Sequence, residues 1–158
     1  MLSESARMNS AAEARFRIQE LCSYFPTVKV IALDTPSERV VRRVATGSWE
    51  HTTFLTAAAL SGELIDLAGR PRNLTDEVDE ADLVVMVATP GGRAHAASII
   101  GEACSRRRVM TTGVVVGGTS APEAALSKTL LQLRPWSLMV VIADPEDYLD
   151  NMLVALRA

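Results

Sequence analysis

LVVMVATPGGRAH, Leu83 to His95, is the stretch that decides the fold. Six apolar residues, about the length of a strand, end in Thr89 and Pro90; two glycines follow, and then a helical pattern. The same punctuation recurs along the chain. Val28 to Leu33 runs into Asp34, Thr35 and Pro36, and Leu138 to Ala143 runs into Asp144 and Pro145. Val109 to Val116 meets Gly117, Gly118, Thr119, Ser120 and then Pro122. Thr, Asp and Ser accept hydrogen bonds from the free N–H groups of a helix start, and Pro suits the first helical position, so each junction reads as strand to helix. Such a repeat builds a parallel sheet whose strand ends open on one edge, where open α/β sheets bind ligands.

The fold class expected is therefore α/β: a three-layer, Rossmann-like, mostly parallel sheet of about five or six strands with helices on both faces. Strands are expected at Thr27–Leu33, Thr52–Ala58, Asp82–Ala88, Val109–Val116 and Ser137–Ala143. A short hairpin arm is expected at Leu64–Leu67 and a basic loop at Arg70–Arg72. Helices are expected at about Ala11–Ser23, from Pro36 to the Gly47–Ser48 break, at Leu74–Ala81, Arg93–Arg107 and Ala121–Leu133, and from Pro145 to Ala158. In the last of these Leu149, Met152, Leu153 and Leu156 mark a buried face.

A chain of 158 residues with 48% apolar composition has the size of one domain, with residues 1–10 read as a frayed N-terminus. Sixteen Lys and Arg against 19 Asp and Glu give a net charge of -3, which speaks against nucleic-acid or anionic-membrane binding by bulk charge. An anionic ligand must be caught locally. The N-terminus lacks a secretory apolar core and balances Arg7, Arg15 and Arg17 with Glu4, Glu13 and Glu20, so the expected setting is cytoplasmic. No apolar run has the length of a membrane span. Cys22 and Cys104 have neither metal-ligand nor redox spacing, and His51 and His95 have no ligand partners nearby, so no metal site is expected.

First-turn charge ranks the four junctions as anion sites, because a carboxylate there cancels the attraction of a helix start for phosphate. Glu146, Asp147 and Asp150 follow Pro145, and Asp34 and Glu38 flank Pro36. The turn Thr89, Pro90, Gly91, Gly92, Arg93, Ala94, His95 carries no acid, two glycines and two side chains able to carry positive charge. With Gly117, Gly118, Thr119 and Ser120 of the next junction it forms the candidate ligand site. The glycine-rich dinucleotide fingerprint fails after the first strand, where Asp34 to Glu38 holds no glycine, and no Walker-type Gly-Lys-Ser/Thr run occurs. No cofactor is identified.

Three functions follow from these residues. The first is a small ligand-binding or regulatory module holding an anionic metabolite or nucleotide at Thr89–His95 and Gly117–Ser120. The second is a transferase or phosphohydrolase in which Arg93 neutralises developing charge and His95 transfers a proton. The third is a non-catalytic, homo-oligomeric interaction protein with a vestigial nucleotide site; Trp49 and Trp136 read as core lids or oligomer anchors. Cys104 reads as a small core residue and Arg106, Arg107 and Arg108 as a helix-end cap.

The stretch Thr75 to Gly118, TDEVDEADLVVMVATPGGRAHAASIIGEACSRRRVMTTGVVVGG, resembles the acidic helix, strand, glycine loop, helix and strand in the nucleotide-binding half of the tubulin/FtsZ GTPases. Val28 to Val44 lies where that family places its first strand and first glycine loop, and the resemblance covers about two thirds of the chain. Of the family's phosphate-contacting Gly-Gly-Gly-Thr-Gly-Thr-Gly signature, Thr89, Gly91 and Gly92 remain, beside Arg93 and His95. The first glycine loop is replaced by Asp34 to Glu38, and the length leaves no room for the family's second domain. The resemblance implies a nucleotide-binding architecture that has lost GTP hydrolysis.

Overall fold

The computed structural model describes residues 25–58, 61, 63–144, 147–156 and 158. One sheet contains β1 (Val28–Ala32), β2 (Thr52–Ala57), β3 (Leu64–Asp66), β4 (Pro71–Arg72), β5 (Leu83–Ala88), β6 (Met110–Val116) and β7 (Met139–Ala143). The α-helices among the described residues are α1 (Thr35–Ala45), α2 (Leu74–Glu80), α3 (Ala96–Arg107), α4 (Glu123–Leu133) and α5 (Tyr148–Leu156). A 3-10 turn at Arg134–Trp136 joins α4 to β7. The helix expected at Ala11–Ser23 and the frayed residues 1–10 lie outside the described residues.

The spatial order is β4-β3-β2-β1-β5-β6-β7, with every pair from β2 to β7 parallel. Counting parallel strands alone, this is the 2-1-3-4-5 order of flavodoxin-like doubly wound sheets, whose switch point lies between the first and third strands. Here that point falls between β1 and β5. β3 and β4 run antiparallel and extend the β2 side as a meander. The expected hairpin is present, and the expected basic loop pairs with β3 through Pro71 and Arg72, making seven strands in place of five or six.

Strand burial follows from this order. VKVIA of β1 is buried at every position and β5 at all but its first, because helices cover both faces. Val41 and Val44 of α1 and Leu149 and Leu153 of α5 pack with Val28, Val30, Val85 and Val114 on one face. Val78 of α2, Ala97, Ile100 and Cys104 of α3 and Leu133 of α4 pack with Ile31, Val84, Met86 and Val115 on the other. The result is the three-layer α/β arrangement.

One buried residue breaks the apolar pattern. Lys29 sits in β1 with its side chain only 5% exposed, and its Nζ lies 2.8 Å from Oε2 of Glu77, which is 7% exposed. The contact is an ion pair with poor hydrogen-bond direction, since Oε2 makes no hydrogen bond. Lys29 also donates to Thr53 Oγ1 at 3.1 Å and to Glu80 Oε2 at 3.3 Å. Glu77 Oε1 accepts from Arg72 at 3.3 Å, and Arg72 in turn approaches Asp66. The acidic run of α2 is thus not all solvated; Glu77 faces inward and neutralises a lysine in the central sheet.

Asp66 closes the turn after β3. Its Oδ1 accepts from the N–H groups of Ala68 and Arg70, and its Oδ2 from Arg70 Nε at 3.0 Å. The Arg70 N–H bond, against a smaller opposing effect of burial and with help from the Arg70 charge, holds this carboxyl below its ordinary 3.8. A carboxyl depressed in the folded state adds stability above its unfolded pKa, and that stability is lost as pH falls through the lower folded value. Urea midpoints measured from pH 5 downward are expected to fall less steeply below pH 3.8 in Asp66→Asn than in the parent chain. Superimposable acid limbs would remove the assignment.

Glycine in a helix interior is ordinarily worse than alanine by roughly 0.5–1 kcal/mol. Gly101 in α3 is an exception set by packing, since a Cβ there would overlap Trp136 Cβ and crowd its ring. Trp136 therefore acts as a lid on α3. Trp49 plays a similar part beneath α1, donating from Nε1 to the carbonyl of Val44 at 2.7 Å. Gly101→Ala is expected to destabilise by about 1–3 kcal/mol, the overpacking range, despite the gain in helix propensity. Calorimetric melting checks the sign.

Candidate functional site

The expected helix start at Pro90 is not where the chain places it. Thr89 to Gly92 is a turn, and α3 begins at Ala96. The Gly92 N–H donates to the Thr89 carbonyl at 3.1 Å, with Pro90 and Gly91 at the two central positions and Gly91 at φ 79. Proline followed by a residue at positive φ is the pattern of a type II turn, and it outweighs the preference of Pro for a first helical position. The Pro36 junction behaves as expected: α1 opens with Pro in its first turn, and Asp34 caps it, accepting from the Ser37 N–H at 2.8 Å.

Asp34 also reaches across the switch point. Its second oxygen, Oδ2, accepts from the Thr89 N–H at 2.8 Å and from Thr89 Oγ1 at 3.0 Å. A Cβ on Gly92 would overlap that same oxygen, so glycine is needed for the close approach. The rest of the turn is tied to α4. The Gly91 N–H is shared between the Ala125 carbonyl at 3.2 Å and Thr129 Oγ1 at 3.0 Å. Thr129 donates back to the Thr89 carbonyl at 3.2 Å, and the Ala94 N–H donates to Gln132 Oε1 at 3.0 Å. The amides expected to cradle an anion are bonded inside the fold, with the Asp34 carboxylate as one acceptor.

The loop after β6 repeats the device. Gly117, at φ 81, donates to the Ala143 carbonyl at the end of β7, and the Thr119 N–H donates to Asp144 Oδ2 at 3.1 Å. Gly118 lies under β7, where a Cβ would overlap Ile142. Ser120 Oγ is 3.4 Å from the Gly117 carbonyl, and Thr119 and Ser120 are exposed. α4 starts at Glu123, after Pro122.

The two candidate loops leave adjacent strands, β5 and β6, on one edge of the sheet. Arg93 and His95 are exposed on the first, and neither side chain has an ion-pair or hydrogen-bond partner among the described residues. A depression of about 150 Å³ lies beside His95, lined also by Ala94, Ser98, Leu131, Gln132 and Trp136. Asp34, Asp144, Thr129 and Gln132, which set the geometry of both loops, were not in the expected site. Asp34 and Asp144, the carboxylates that end the first and last parallel strands, gave a signal in sequence; Thr129 and Gln132 gave none.

No family model and no curated protein matches the chain. Forty-one solved chains match by structure. Two of them are structures of translation elongation factor SelB from Methanococcus maripaludis, the apo form and a complex with the GTP analogue GppNHp. Both are 12% identical over 84% of this chain, with TM-scores of 0.47 and 0.43. The chain spans 37% and 34% of the length of those structures. Neither is a tubulin or FtsZ, and similarity at this level carries no functional argument.

The remaining candidates are structural. His51 stacks on Phe25 with ring centroids 5.1 Å apart. Among the described residues no cluster of His, Cys, Asp and Glu could hold a metal ion, and no helix is long and apolar enough to cross a membrane. Cys104 is fully buried, and that burial pushes its thiol up to about 11. Since the thiolate is the reactive form, Cys104 is expected to stay unmodified by iodoacetamide at pH 8 until urea is added, as read by peptide mass mapping. Labelling of the folded chain at Cys104 would contradict its placement.

Proposed function

We propose that this chain is a small ligand-binding module that takes an anionic metabolite or nucleotide over the edge of its sheet formed by the loops after β5 and β6. The supporting observation is that Arg93 and His95 stand exposed and unpartnered among the described residues, on a turn held rigid by bonds to α1 and α4. That turn borders the β1–β5 switch point, the place where doubly wound sheets take their ligands. In this reading the anion is met by side chains, Arg93 and His95 from one loop and the Thr119 and Ser120 hydroxyls from the other. Backbone amides contribute little, because Thr89, Gly91, Gly92, Ala94 and Thr119 already have acceptors. A guanidinium suits this role, since it offers a fixed fork of donors to phosphate or carboxylate.

The resemblance of Thr75 to Gly118 to the tubulin/FtsZ nucleotide-binding half makes guanine and adenine nucleotides the first compounds to test. Calorimetric titration with nucleotides, phosphorylated metabolites and acyl-CoA esters is expected to find one ligand class with measurable heat. The Arg93→Ala, His95→Ala double variant should weaken it by about 10- to 100-fold or more, the loss of a charge-assisted hydrogen bond or two. Silence across all three classes, or binding unchanged in the double variant, removes the reading.

A further inference from the structure

The two edges of the sheet are built in opposite ways. β4 is a two-residue strand made of Pro71 and Arg72 and preceded by Arg70, so a further strand finds little to pair with. Short length, proline and charge are the usual protections of a free edge. β7, at the other end, has none of them. It is five residues long, MVVIA, and Ser137 to Ala143 holds no charge, proline or glycine. Leu138, Met139 and Ile142 are 76%, 55% and 41% exposed, and Leu131 on α4 is 72% exposed. Among the described residues β7 pairs with β6 alone, which leaves its outer N–H and C=O groups open for another strand.

We propose that β7 is the dimer interface of this protein, pairing antiparallel with β7 of a second copy so that the two sheets become continuous across a two-fold axis. Charge at the strand ends selects this occupant and this direction. Exposed Arg134 lies just before β7, and exposed Asp144 and Asp147 lie just after it. Antiparallel pairing brings the basic end of each copy to the acidic end of the other, twice, as an isologous interface requires. Parallel pairing sets like charges together. The exposed Leu138, Met139 and Ile142 side chains then pack across the axis.

Light scattering on the full chain from 1 to 100 µM, concentrations on the order of those that resolve a micromolar dimer, is the test. The expected result is a dimer that Met139→Lys converts to monomer, with at least a hundredfold rise in the dissociation constant. Met139 is exposed, so the variant should keep its circular dichroism and melting behaviour. Arg134→Glu should weaken the dimer, and Arg134→Glu combined with Asp147→Arg should restore it. Backbone hydrogen exchange in β7 should slow with protein concentration in the parent chain and not in Met139→Lys. A strict monomer at every concentration overturns the proposal, as does a dimer indifferent to Met139→Lys and to the charge swap. Either result leaves the Arg93 and His95 ligand reading untouched, since those residues lie on a different edge.

Discussion

Lys29→Ala is expected to lower the unfolding free energy by about 3–5 kcal/mol, the usual penalty for leaving a buried charge without its partner. With native stabilities of about 5–15 kcal/mol, one such change brings the chain near unfolding. The reason lies in the position of Glu77, which is 7% exposed and stripped of water by the same packing that encloses Lys29. Once the ammonium is gone, Arg72, at 3.3 Å and half-exposed, is what is left to balance it among the described residues. Glu77→Ala should cost less, since Lys29 keeps Glu80 Oε2 at 3.3 Å and Thr53 Oγ1 at 3.1 Å. The double variant Lys29→Met, Glu77→Leu is expected to recover most of the loss, because two apolar side chains of similar size need no desolvated charges. Urea unfolding of the three variants decides it. A single-variant cost below about 1 kcal/mol, the value of an exposed pair, would show that the pair is hydrated.

Asp34→Ala should cost about 2–4 kcal/mol. Loss of the cap on α1 accounts for about 1 kcal/mol, and the stranded Thr89 N–H for a further 1–3 kcal/mol. Asp34→Asn keeps an oxygen to accept from Ser37 or Thr89 and should fall between the two. The same change has a functional reading. With the carboxylate removed, the Thr89 N–H and hydroxyl and the Gly92 backbone face the vacated space, and inorganic phosphate should raise the melting temperature of Asp34→Ala more than that of the parent chain. Equal effects of phosphate would mean that the turn holds no latent anion site.

What was legible in sequence was local. The Asp-Thr-Pro junction at Asp34 specified its helix because cap and proline act within one turn of it. The four apolar runs gave β1, β5, β6 and β7, and the strand-like Thr52–Ala58 gave β2; in β1 and β5 the unbroken run reflects two covered faces. The Thr89–Gly92 turn was misread as a helix start because Pro-Gly carries two meanings, and the bonds that choose between them come from Ala125, Thr129 and Asp34, far along the chain. The use of the site's amides by the fold itself was hidden for the same reason. So was the inward turn of Glu77: charge in a short helix reads as solvated unless one knows that a lysine stands opposite. The unprotected edge could be found only once strand order made β7 the last strand and β4 its counterpart.

The strand order also bears on how the chain comes off the ribosome. β1 finds its first neighbour in β2, but its other flank waits for β5, and the Thr27–Asp82 bond that joins their beginnings spans 55 residues. Half of the valine-rich central strand therefore emerges long before its mate is synthesised. A nascent chain paused in the meander leaves that flank unpaired, and pairing β1 with β5 requires closing a loop of 55 residues.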